Sequence, residues 1–184
     1  MSIPSSGASS AIDRTLSIDH VDLFPTLIWQ ARLTGLAPLF PGWAAAAGAA
    51  PLLQPAFNEL HGALRACCQY AFGQMGQQGR GFTLKSWVSR HERGGFDFPR
   101  VQEKSLLSGL VFLQAPAGSG PLVLRDPRPG VLHSPFKGAG ANAHNEIRAI
   151  AETGLVLLFP YWLETYSEPH GSDTPRVAVG FNAV

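Results

Sequence analysis

Short apolar runs punctuated by glycine and proline fill the stretch from Ser86 to Arg128, SWVSRHERGGFDFPRVQEKSLLSGLVFLQAPAGSGPLVLRDPR. Runs this brief, each closed by turn-forming residues, read as adjoining antiparallel strands rather than helices. Two later runs continue the pattern, LVLLFPYWLETYSEP at Leu155–Pro169 and RVAVGFN at Arg176–Asn182. A sheet that buries one face needs a second layer to cover it, so the chain is committed to a closed or double-layered β architecture.

At 184 residues the chain has the length of one domain with a substantial core. Its 45% hydrophobic and 15% charged residues fit a globular protein. A net charge of +1 gives no basis for a broad nucleic-acid surface or an anionic-membrane surface. No apolar span is long enough to cross a bilayer, and no signal segment opens the chain, so the expected location is cytoplasmic. Cys67 and Cys68 are neighbours in sequence, a spacing that suits reduced thiols better than a disulfide.

Residues 1–16 are rich in Ser, Ala and Gly and are expected to form a flexible tail, with a single domain over 17–184. FPTLIWQARL within Asp22–Leu33 reads as a first strand. After a Pro/Ala-rich connection, a supporting helix is expected at about 53–75, where Phe57, Leu60, Leu64, Cys67 or Cys68, and Phe72 make one apolar stripe. Strands follow at Phe82–Arg90, at Leu106–Gln114 and Leu122–Arg125 as a hairpin across APAGSG, at Leu155–Phe159 and at Val177–Phe181. Gly118 and Gly120 are the expected positive-φ residues of that hairpin. Asp126–Glu152 reads as one long polar loop, and Pro160–Pro175 as a connector.

Taken in order, FPT-x-x-W, Trp87, Gly94–Gly95, LSG at Leu107–Gly109, SG at Ser119–Gly120, DPR at Asp126–Arg128, LLFPYWL at Leu157–Leu163 and the closing RVAVGFN resemble a bacterial family of 2-oxoglutarate/Fe(II) oxygenases. The resemblance runs from Leu23 onward and is weakest between Gly35 and Gly81. It implies a mainly β fold with a supporting helix, a double-stranded β-helix of the jelly-roll, cupin-like kind. It also implies where metal ligands would stand: the family's two closely spaced histidines fall on Arg100 and Gln102, and its distal histidine on Thr165. The arginine that relatives use for the co-substrate carboxylate corresponds to Arg176, while the supporting serine and the paired tyrosines correspond to Ala178, Val111 and Phe112.

An iron site needs imidazoles and carboxylates with lone pairs aimed at one point. Arginine offers none, and the oxygens of Gln and Thr are weak neutral donors. The expected chain therefore carries no metal and no cofactor, and its former iron position, with Arg100, Gln102, Thr165 and Arg176, is suited to a small anionic metabolite. Arg100, Gln102 and Lys104 would share one strand face, and Arg176 would meet either the ligand or an ion-pair partner such as Asp173 or Glu168. His91 and Glu103 are the candidates for moving protons. Two other outcomes stand beside this one. The chain serves as a non-catalytic homodimer or as a heteromer with an active enzyme, using Phe24, Trp29, Phe40, Trp43 and Tyr161, or it remains an oxygenase with ligands relocated among His91, Glu92, Asp97, His133, His144 and His170.

Overall fold

The computed structural model describes residues 26–102, 104–128 and 145–184. Two antiparallel sheets face one another. The larger has the order β1-β6-β3-β8-β2, from Trp29–Arg32, Leu155–Pro160, Leu107–Gln114, Arg176–Ala183 and Leu84–His91; the smaller has the order β5-β4-β7, from Glu146–Ala149, Leu122–Arg125 and Glu164–Ser167. The chain leaves the large sheet after β3, forms β4 and β5, returns for β6, crosses again for β7 and ends on β8. This repeated crossing between two facing sheets is the double-stranded β-helix.

Side-chain alternation divides the large sheet into two surfaces. On β8, Val177, Val179, Phe181 and Ala183 join a core shared with the helices, while Ala178 belongs to the core between the sheets. On β2, Leu84 and Val88 face the helices, Ser86 Oγ accepts from Leu52 N, and Arg90 donates to the Ala44 carbonyl. Lys85, Trp87, Ser89 and His91 consequently face the barrel interior.

The supporting helix α2 spans Asn58–Gln74, with short 3-10 turns at Pro51–Leu53 and Pro55–Phe57 in place of the earlier start. Prolines at the head of each turn supply a fixed φ but no N–H, which favours a tight turn over a continuous helix. Phe57, Leu60, Leu64, Cys68 and Phe72 are buried as the stripe requires, and burial of Cys68 raises its thiol pKa to about 12. A further helix, α1 at Phe40–Ala46, lies in the Pro/Ala-rich connection and buries Phe40 and Trp43. Both aromatics are therefore core residues rather than a dimer surface; Trp29 packs against the same core, Tyr161 is exposed, and Phe24 lies outside the described residues.

Four sequence expectations need correction. Leu107–Gln114 and Leu122–Arg125 do not pair as a hairpin, because β3 and β4 lie in different sheets and the Gly-rich link carries the chain from one to the other. Gly118 has the expected positive φ of 84°, but Gly120 does not; it is needed because a Cβ there would overlap the Glu168 backbone. The Asp126–Glu152 region contains β5, and the Pro160–Pro175 connector contains β7. The proposed 1–16 tail, Glu103, His133 and His144 lie outside the described residues.

Candidate functional site

The stretch after the Gly94–Gly95 turn runs along the free side of β7. Asp97 N donates to Ser167 Oγ at 2.8 Å, and Ser167 N donates to the Asp97 carbonyl at 3.2 Å. Arg100 and Thr165 form an antiparallel bridge, with both N–H to carbonyl distances at 2.9 Å, and Gln102 N donates to the Tyr161 carbonyl at 3.1 Å. Lys104 instead turns through a left-handed φ of 61°, so the face expected to carry Arg100, Gln102 and Lys104 ends at Gln102.

Two segments far apart in sequence are thereby brought together. Arg100, Gln102 and Thr165 line one small cavity between the sheets, with Trp87, Asp97, Ser108, Leu110, Leu122 and Phe159 among the other walls. Its volume is about 20 Å³, room for a single water. Trp87 lies over Gly180, its partner on the neighbouring strand β8, where a Cβ would overlap the indole, and the Arg100 guanidinium sits 5.7 Å from the Trp87 ring centroid. Two polar atoms here, Trp87 Nε1 and Asn182 Oδ1, are buried without a hydrogen-bond partner among the described residues, while Asn182 Nδ2 donates to Gln102 Oε1 at 3.4 Å. A larger cleft of about 460 Å³ lies between β1, α1 and the end of β3, but its charged wall residue, Arg32, is paired with Glu152.

Arg176 and His91 stand deeper, behind Asp97. They are cross-strand partners on β8 and β2. Arg176, only 3% exposed, donates to the Gly120 carbonyl and to His91 Nδ1, the latter at 2.7 Å. A guanidinium can only donate, so His91 Nδ1 accepts and the ring carries its proton on Nε2, which faces Asp97 Oδ2 at 3.5 Å. Burial lowers the His91 pKa; Asp97 opposes that shift and Arg176 reinforces it. Burial also lowers the pKa of Arg176, again opposed by Asp97. Neither carboxylate suggested by sequence meets Arg176, since Asp173 pairs with Arg93 and Glu168 with Arg148.

Asp97 is the hub that the sequence reading placed only among relocated metal donors. Its Oδ2 accepts from Ser89 Oγ at 3.2 Å and Ser167 Oγ at 3.4 Å, and its Oδ1 lies 3.8 Å from Arg100 Nη2. The signal was present in part, because Trp87, Ser89 and His91 alternate onto one face of a strand and Asp97 is an acid flanked by Phe96 and Phe98. His170 is buried, with Nε2 against the Thr174 carbonyl at 2.8 Å, and Glu92 is exposed. Among the described residues, no group of three or more His, Cys, Asp or Glu side chains is placed to hold a metal ion. Among the same residues, no helix is long and apolar enough to cross a membrane.

Solved structures share this fold. A Pseudomonas putida prolyl-4-hydroxylase has a TM-score of 0.59 at 13% identity, covering 85% of this chain and 87% of that one. An oxidoreductase of the 2OG-Fe(II) oxygenase family from Burkholderia pseudomallei gives 0.61 at 10%, covering 86% and 83%. The non-heme alpha-ketoglutarate-dependent epimerase SnoN from nogalamycin biosynthesis gives 0.62 at 13%, covering 85% and 77%. No curated protein matches in sequence. The family model described as "Putative 2OG-Fe(II) oxygenase" matches residues 85–182, which is more than half of the chain and includes every wall of the cavity. On that match the chain belongs to the 2OG-Fe(II) oxygenase family.

Proposed function

We propose that this family member binds the acid group of a small anionic metabolite without iron at the half-exposed Arg100, at the mouth of its barrel, and works as a metal-independent enzyme beside that group. The observation that carries the reading is the state of Arg100. Its side chain is 46% exposed at the cavity, and its guanidinium makes no hydrogen bond among the described residues. Among the described residues around the cavity, two guanidinium groups, Arg100 beside Asp97 and Arg176 behind His91, stand against the one carboxylate of Asp97, and His91 accepts from Arg176 as a neutral ring, so the interior favours an added negative charge.

The iron-free part of the reading is supported by the donor set. The residues at the positions that the resemblance aligns with metal ligands offer a cation without lone pairs, a neutral amide and a neutral hydroxyl, which do not fit Fe(II). Among the described residues Asp97 is the one carboxylate on the cavity wall, and its Oδ2 already accepts from two serine hydroxyls. Proton transfer by His91 would run through Asp97, because Nε2 faces that carboxylate and Nδ1 is occupied.

A second reading, a non-catalytic subunit paired with another copy or with an active enzyme, draws on one observation. Phe96 and Phe98 stack edge-on at 5.0 Å while 45% and 75% exposed, which is unusual for adjoining aromatics on a monomer surface.

Thermal denaturation of chelator-treated protein with a panel of mono- and dicarboxylates and phosphates tests the first reading. An anion present at 100 times its Kd should add about 2.7 kcal/mol and raise Tm by roughly 5–10 °C. The absence of any shift, or a shift only after Fe(II) is added, would overturn it.

A further inference from the structure

Asp97 occupies an odd position for a residue of an anion site. Its backbone is fixed by two hydrogen bonds to Ser167, and Ser89 and Ser167 hydroxyls donate to its Oδ2, which orients the carboxylate toward β2 and β7. Its approaches to cationic or potentially cationic groups are both loose: Arg100 Nη2 at 3.8 Å and His91 Nε2 at 3.5 Å lie beyond good hydrogen-bond distance. A carboxylate placed to neutralise a guanidinium would normally engage it by paired N–H donors. Here two serine hydroxyls occupy its Oδ2, and the Arg100 donors meet no hydrogen bond among the described residues while the carboxylate's charge still acts on them.

We infer that Asp97 is a built-in counter-ion that competes with the incoming ligand for Arg100 and selects a monoanionic carboxylate over a dianionic phosphate. The inference rests on the proposed anion site and names its specificity-determining residue. A ligand must enter from the side of Arg100, since Arg176 is enclosed behind His91. Any acid group that meets the guanidinium then lies within a few ångströms of Asp97 Oδ1. A single negative charge gains more from Arg100, with Arg176 behind it, than it loses to Asp97. For a second negative charge on the same group the attraction and the repulsion both double, whereas the cost of drawing the group out of water rises as the square of its charge. The field that Asp97 weakens therefore holds a monoanion and falls short for a dianion.

Calorimetric titration of wild type and Asp97→Asn with acetate and with inorganic phosphate, at a pH where phosphate is mainly the dianion, tests this. Wild type should prefer acetate. The variant should bind phosphate about tenfold more tightly than wild type does, gain less for acetate, and lose the gain when Arg100→Gln is added. Asp97→Ser removes the same charge and gives the same test if the asparagine variant does not fold. Acetate binding by wild type with unchanged or weaker phosphate binding in the folded variants overturns the role of Asp97 and leaves the anion site standing. Binding of neither probe by any of these proteins overturns the anion site itself.

Discussion

Replacing Arg100 with glutamine should reduce affinity for the best-binding carboxylate by ten- to a hundredfold while leaving Tm nearly unchanged. A hydrogen bond to a charged group contributes about 1.5–3 kcal/mol, and each 1.4 kcal/mol is about a factor of ten. The stability cost is small because the side chain is half exposed, its ion-pair contact with Asp97 is long, and the Arg100 backbone, which any residue supplies, makes the bridge to Thr165. Glutamine keeps part of the apolar stem and a polar end group and removes the charge. Calorimetric titration beside a melting curve separates the two effects. A variant that binds as tightly as wild type would show that the ligand is held elsewhere, and a large fall in Tm would show that Arg100 is structural.

Gly120→Ala should be among the most damaging small substitutions in the protein. Gly120 is buried where the β3–β4 link passes the chain leaving β7, and an added Cβ would overlap Glu168 and Pro169 backbone atoms, which cannot move aside as a flexible side chain would. Two backbone hydrogen bonds clamp the same crossing, Glu168 N to the Pro121 carbonyl at 3.0 Å and Gly171 N to the Gly118 carbonyl at 2.9 Å. The Gly120 carbonyl also accepts from Arg176, so separating the two segments would disturb the buried guanidinium. Overpacking of this kind costs up to about 3 kcal/mol, which corresponds to a fall in Tm of roughly 6–12 °C. Circular dichroism melts measure it directly. A Tm within a degree or two of wild type would mean that the crossing is looser than described.

The strands legible in the sequence were those whose side chains are apolar on both faces or alternate cleanly, such as Leu155–Phe159, which lies between β1 and β3 in the large sheet. β7 was not legible because Glu164–Ser167 puts Thr165 and Ser167 on the inner face, so its alternation is polar against polar. α1 was hidden by Pro41 and Gly42 at its start, residues that usually mark a turn. The APAGSG signal correctly marked a change of direction at Gly118, but turn chemistry alone does not say which sheet receives the next strand.

The site divides along the same line. Arg100, Gln102 and Thr165 could be grouped only through family resemblance, since the bridge that joins Arg100 to Thr165 lies outside the regular strands. The partner of Arg176 was not readable, because His91 is 85 positions away and meets it through the pairing register of β2 and β8. Sequence proximity favoured Asp173, which an exposed Arg93 takes instead. Asp97 was underestimated because its importance comes from Ser89, His91, Arg100 and Ser167 arriving from three separate segments.

Equilibrium dialysis of the chelator-treated protein against Fe(II) without oxygen, in the presence of saturating carboxylate, tests the proposal that the barrel works without iron most directly. The expected result is iron retention far below one ion per chain, no higher than that of an unrelated control protein, with carboxylate affinity unaltered by the metal. Retention of one Fe(II) per chain, abolished together with carboxylate binding when the chelator is restored, would contradict the account.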